Sequence, residues 1–407
     1  MNTKTKKLIN GKKLAWLLTL LYFTSYVTRI NFAAIIQEII TKTGHEKTSL
    51  SIILVTLSIT YGLGQIINGR LGDKIKPQKM ILFGLICATS VNLAFPFLIN
   101  SIPLMTVFWG INGFAQAMMW PPIVKILVSA TDGEMYGYSM VRISWGSSFG
   151  TILIYLASPL IISLLGWRAV FYFSALIGIT TIIIWIMSMN RIESKNTKEE
   201  VKISENKSFN FPKKAVFPIA FIALGIILQG MLRDGITSWM PSYLSEVFHL
   251  DNKLSILVTV SLAVFSILCF SLSGTIYKKF FKNEVFLGAV IFGVSTIFAL
   301  ILFAFFNAGV ILTTLAMAII TGCMHGINLM LIAHVPKRFK KYGNISTISG
   351  VINSCTYIGS AISTYGVALL SELIGWRNTV GLWAIIATLG AIACLVATKP
   401  WEKFYES

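Results

Sequence analysis

Residues 14–41 read LAWLLTLLYFTSYVTRINFAAIIQEIIT, an apolar run long enough to cross the ~30 Å hydrocarbon layer of a bilayer, with Arg29 near its middle. A cation at that depth costs roughly 2.5–3.5 kcal/mol on insertion scales, so the position is a functional-site candidate by default. A second run, residues 215–246, carries Arg233 in a comparable place. Basic residues before the first run give it the look of a secretory leader. It is too long for one and contains Arg29, so it reads as a retained helix. Two cations at matching places in the two halves of one chain suggest one shared anion site.

The rest of the chain continues the pattern. Hydrophobic residues make up 55% of the 407 and charged residues 12%, where soluble chains carry about 25% charged residues. Mean hydropathy is +0.75. Apolar runs recur at 48–69, 79–99, 102–128, 138–164, 169–189, 254–277, 284–306, 308–333, 345–372 and 378–398. With the two above, twelve membrane-spanning helices are predicted, and the fold class is all-α. The net charge of +18 does not point to nucleic acid, because 25 of the 34 Lys and Arg fall on one side: before the first span, in alternate loops, and after the last span. Only Lys42, Lys47, Arg168, Lys253 and Arg377 occupy the opposite loops. The positive-inside rule then places both termini and the central stretch in the cytoplasm and the chain in the cell membrane. Left within or at the edge of spans are Arg29, Lys125, Arg142 and Arg233, which face few buried acids, Asp234 being the deepest. The five cysteines all lie in apolar spans and read as inert thiols.

The chain also repeats itself. Gly166-Trp167-Arg168 recurs as Gly375-Trp376-Arg377 at an offset of 209, and Gly150 recurs as Gly359 at the same offset. Arg29 and Arg233 are 204 apart. Two six-helix halves of parallel topology follow, residues 1–189 and 215–407, joined by the polar stretch 190–214, whose Glu, Lys, Ser and Asn cannot bury a core. Carriers of this plan place their site at the midplane between the repeats.

Gly69-Arg70-Leu71-Gly72-Asp73-Lys74 resembles the loop signature of the major facilitator superfamily, in which a glycine-rich turn packs closely and the acid and bases form a gating cluster. More specific are Tyr22-x-x-x-Tyr26-x-x-Arg29-x-Asn31-Phe32, Trp120-Pro121-Pro122 followed by Lys125, and Arg233 followed by Trp239-x-Pro241-x-Tyr243-Leu244. Together they resemble the organophosphate:phosphate antiporters, the glycerol-3-phosphate and hexose-phosphate transporters. The resemblance implies a twelve-helix fold and a phosphate held by Arg29 and Arg233 from opposite halves. It also implies that Tyr61, Tyr357 and His325 line the cavity. Two departures stand out. A family lysine four residues after the second-helix tyrosine is here Gln65, and a fifth-helix histidine falls near Gly146, beside Trp145. Both move the expectation away from glycerol 3-phosphate itself, toward another phosphorylated metabolite, a phosphonate or a carboxylated anion.

The chemistry of the residues agrees with the clamp. Guanidinium is planar, permanently charged and able to pair two donors with two phosphate oxygens. Tyr22 and Tyr26 precede Arg29 by seven and three residues and share its helix face. Gln65 and Lys125 join these residues as substrate-binding candidates. Other roles stay open beside these: packing with a satisfied hydroxyl for the tyrosines, a hydrogen-bonded core position for His325, and a water- or lipid-facing position instead of a cavity one for Lys125. Arg142, early in the fifth span, and Asp73 are gating candidates. Asp234 neighbours Arg233, but consecutive helical residues point apart, so no direct pair is expected. Asp234 is instead a candidate for carrying a coupling proton or for pairing with Lys125 or Arg142.

No phosphate-loop motif, His-Glu-x-x-His or Cys-x-x-Cys is present, so ATP energisation, metal chemistry and an enzyme are not expected. The reading is a monomeric secondary transporter without cofactor. Its partners are the bilayer and a small organic-phosphate-like anion, moved by alternating access in exchange for inorganic phosphate. A proton-coupled carrier of carboxylates or drugs and a non-transporting sugar-phosphate sensor are the alternatives.

Overall fold

The computed structural model describes residues 10–45, 47–131, 133–192, 211–250, 252–342 and 345–406. The expected basic residues Lys4, Lys6 and Lys7, and most of the 190–214 linker, lie outside them. The helices are α1 (Gly11–Thr43), α2 (Lys47–Lys74), α3 (Pro77–Ala94), α4 (Ile102–Gln116), α5 (Trp120–Ala130), α6 (Gly133–Leu165), α7 (Arg168–Met189), α8 (Lys213–Phe248), α9 (Asn252–Phe280), α10 (Glu284–Ala304), α11 (Val310–Ile327) and α12 (Ile345–Glu406). Among the described residues, nine helical stretches are long and apolar enough to cross a membrane. With α1, the α4–α5 pair and the first part of α12, they make the twelve-span fold.

Three boundaries differ from the periodicity. The fourth span is two helices, because the chain tightens at Ala117–Met119 and restarts at Trp120 with Pro121 and Pro122 in the first turn, where missing N–H donors do no harm. The tenth span passes from α11 into a π-helical turn, Asn328–His334, and then a 3₁₀ segment, Val335–Tyr342. The last two spans run as one element broken at Gly375, which has φ 76°. Its repeat mate Gly166 has φ 81°. Each glycine sits in the left-handed region that side chains avoid and turns the chain before the next span.

Contacts divide the chain into two compact units: Met1–Ser208 with Phe339–Val351, and Phe209–Arg338 with Ile352–Ser407. In the first, α1 lies along α6, where Gly150 faces the carbonyl of Phe23: a Cβ there would sit 2.7 Å from that oxygen. One end of the unit is closed by Phe32, Phe95, Trp109 and Phe171, with ring centroids 4.6–6.0 Å apart. In the second unit α8 lies along α12, and Gly359, the repeat mate of Gly150, faces the carbonyl of Ile227 at still closer range. Gln229 Nε2 donates to the Met324 carbonyl at 3.1 Å and ties α8 to α11. Large apolar side chains such as Leu165, Met187, Phe280 and Ile311 are exposed on both units, the surface a bilayer covers.

The backbone-to-backbone seam is a stability device with a direct check. Gly359→Ala is expected to destabilise the protein by about 1–3 kcal/mol through overpacking. Gly293→Ala, in α10 with open space around it, is expected to stay within about 0.5 kcal/mol. Thermal melts in detergent distinguish the two.

Candidate functional site

Arg29 is positioned from behind. Thr24, Thr28 and Asn31 recur on the buried face of α1, and each is tied to a neighbouring helix. Thr24 pairs with Thr181 at 2.7 Å, and Gln116 Nε2 donates to the Thr28 hydroxyl at 2.8 Å. Asn31 Nδ2 donates to Asn92 Oδ1 at 2.6 Å and to the Ser174 hydroxyl at 3.0 Å. Asn92 and Asn112 both donate to the Thr28 carbonyl, at 2.9 and 3.0 Å, and Ser25 donates to Gln116 Oε1 at 2.6 Å. With that face locked to α3, α4 and α7, the opposite face presents Tyr22, Tyr26 and Arg29. The guanidinium carbon lies 4.2 Å from the centre of the Tyr26 ring and 4.9 Å from that of Tyr61. Tyr22 packs edge-on to Tyr26 at 5.3 Å and against Trp120 at 5.2 Å. Cation–π contact on rings of this kind is worth about 0.5–2 kcal/mol, more as water is excluded. One turn beyond Tyr61, Gln65 is fully buried, and neither its Nε2 nor its Oε1 has a hydrogen-bond partner among the described residues.

Arg233 is held differently, and against the expectation. Its Nε donates to Asp234 Oδ1 at 2.6 Å and its Nη2 to Oδ2 at 2.8 Å, a forked pair between adjacent residues. The two Cβ vectors do diverge, but the arginine stem is long enough to fold back onto its neighbour. Ser360 on α12 donates to Asp234 Oδ2 as well. Asp234 thus has Arg233 and Ser360 as partners within its own unit. His325 lies on α11 with its ring 5.1 Å from that of Phe270. Tyr357 is half-buried on α12.

The signature loop makes a third cluster, in the first unit. Asp73 is 8% exposed, and its carboxylate accepts the backbone N–H groups of Ser346 at 3.0 Å and Thr347 at 2.8 Å and the Thr347 hydroxyl at 2.5 Å. It thus caps the first turn of α12, where the helix dipole favours an anion. Gly69 and Gly350 allow α2 and α12 to meet there. Lys125 Nζ donates to the carbonyls of Gly72 at 2.9 Å and Asp73 at 3.2 Å, a cation on the last turn of α2. Arg142 lies over Trp145 at 3.8 Å, with Tyr138 at 5.0 Å and Trp16 at 5.8 Å. The structure thus gathers Tyr22, Tyr26, Arg29 and Tyr61 in one unit, and Arg233, Asp234 and His325 in the other. Lys125 goes with Asp73, and Arg142 has its own aromatic surround.

Sequence reasoning passed over Ser360, Ser346, Thr347 and the amide network behind Arg29. The spacing of Thr24, Thr28 and Asn31, four and then three residues apart along an otherwise apolar helix, was the available signal for the last.

Membrane-spanning helices in two units, with ionisable side chains set into them, define a multi-pass membrane protein. The Major Facilitator Superfamily model matches residues 18–364, and the chain belongs to that superfamily, whose members work by alternating access. Among its relatives, the glycerol-3-phosphate transporter of Bacillus subtilis is 25% identical over 94% of this chain and 90% of its own. A probable hexose phosphate transport protein of Chlamydia muridarum is 22% identical over 95% and 90%. The fucose:proton symporter of E. coli, at 14% identity, shares the fold with a TM-score of 0.70 over 96% of this chain and 98% of that one.

Asp73→Ala removes the cap from α12. The loss of about 1 kcal/mol is expected to speed hydrogen exchange at the Ser346 and Thr347 amides about fivefold. Unchanged exchange at both would contradict the capping role.

Proposed function

We propose that this transporter carries a small phosphorylated metabolite across the cell membrane in exchange for inorganic phosphate, with both termini cytoplasmic. Arg29 and Arg233 both contact the anion. Tyr22, Tyr26, Tyr61, Tyr357 and His325 meet its organic part, and Gln65 offers that part a neutral carboxamide. The observation that carries the reading is the setting of the two arginines: each sits in a spanning helix beside aromatic or acidic side chains, where its guanidinium can meet an anion. Tyrosine faces hold Arg29 and one carboxylate holds Arg233. A phosphate dianion brings more charge and more acceptor oxygens than either, in the geometry a guanidinium fork prefers. Relatives that span nearly the whole chain include proteins named as glycerol-3-phosphate and hexose phosphate transporters, which supports the same class.

The mechanism follows from charge. When phosphate takes up the Arg233 fork, Asp234 keeps the Ser360 hydroxyl and is not stranded. Without an anion, the charges resist enclosure in a dry site, so the return step requires inorganic phosphate. Asp73, Lys125 and Arg142, at helix ends or on aromatic surfaces, serve opening and closing rather than binding. A second reading, in which a proton on Asp234 replaces the counter-anion, draws on His325 and Asp234 beside the same arginine. It requires pH-dependent flux that phosphate does not inhibit.

Exchange in proteoliposomes loaded with phosphate tests the proposal. Wild-type protein takes up a phosphate ester against internal phosphate. Arg29→Lys and Arg233→Lys each lower the exchange rate at least about tenfold, because lysine keeps the charge and loses the fork. Wild-type rates in both variants would sink it.

A further inference from the structure

The repeated Gly-Trp-Arg motif leads to a feature that transport does not use. In the first copy the Arg168 guanidinium lies 4.5 Å from the Trp167 ring. Tyr172, four residues on, packs its ring against Phe97 at 6.5 Å and fills the surface there. The residue 209 positions later is Gly381. No side chain stands at that place, and the ring of Phe303 packs over the Gly381 backbone, its nearest atom 3.2 Å from where a Cβ would stand. A groove of about 480 Å³ opens between α10 and the last part of α12, walled by Leu300, Phe303, Leu382, Ile385 and Leu389. Its polar residues are largely satisfied within α12: Asn378 Nδ2 donates to the Ile374 carbonyl and the Thr388 hydroxyl to that of Ala384, both at 2.8 Å. Arg377, exposed at the Asn378 end, reaches over the Phe303 ring with its guanidinium carbon 5.5 Å from the centroid.

We infer that this groove seats one acyl chain of an anionic phospholipid, with the lipid phosphate on the Arg377 guanidinium. The dimensions select a lipid. From Asn378 to Leu389 a helix rises about 16 Å, one leaflet of a ~30 Å hydrocarbon layer, whereas a partner helix needs about 20 residues and would overrun the groove. The charge selects the headgroup, since a guanidinium at the apolar–polar boundary pairs with phosphate oxygens and adds attraction for an anionic lipid. The site is independent of the proposed substrate.

Native mass spectrometry of the full-length protein, delipidated in detergent and offered phosphatidylglycerol and phosphatidylcholine, tests it. Wild-type protein retains one phosphatidylglycerol in preference to phosphatidylcholine by about fivefold. Arg377→Ala brings that preference to about unity, while Arg168→Ala, outside this groove, leaves it intact. Gly381→Tyr, which copies the first repeat, removes retention of both lipids with melting temperature as the check on folding. Equal retention of the two lipids by the wild type overturns the inference, as does a preference that survives Arg377→Ala. A dimer that Gly381→Tyr disperses also overturns it and assigns the groove to a second copy of the chain.

Discussion

A guanidinium stays charged at any physiological pH, so a helix that carries one into hydrocarbon must bring something to replace its water. The two halves meet this constraint with different chemistry. Arg29 rests on the π faces of Tyr26 and Tyr61, while Arg233 is gripped by Asp234, itself steadied by Ser360. Each arrangement gives its guanidinium a partner inside the protein. Much of the surrounding structure serves to hold these side chains in place. The amide and hydroxyl network on the back of α1 fixes which way Arg29 faces, and the close seam at Gly359 fixes α8 against α12 around Arg233.

The contacts fall into two mechanical kinds. Within each unit, helices meet through small residues and buried amides, which leave no slack and move as one. At Asp73 and Lys125 the contacts are between side chains and helix ends. Alternating access needs repeats rigid enough to rock as bodies, which the small-residue seams and buried amides provide.

The fold was largely legible because hydrocarbon imposes length and composition on every span, and because the Gly-Trp-Arg repeat marks the same turn twice. The breaks at Ala117–Met119 and at the π turn of α11 were not legible, since the apolar pattern runs through both and only backbone hydrogen bonding reveals them. At the site, helical spacing correctly grouped Tyr22, Tyr26 and Arg29. It failed for Arg233 and Asp234, because Cβ direction describes where a side chain leaves the helix and not where a flexible arginine ends. Ser360 was invisible for a related reason: nothing in a linear spacing joins α12 to α8.

The central claim is that the two arginines are kept in the membrane for the phosphoryl group. Calorimetric titration of the purified protein with inorganic phosphate, a hexose phosphate and the unphosphorylated hexose addresses it most directly. The account requires both phosphates to bind, the neutral sugar not to bind, and a double Arg29→Gln, Arg233→Gln variant to lose both phosphates while melting as the wild type does. Phosphate binding that persists in the double variant, or sugar binding as tight as that of its phosphate ester, would contradict it.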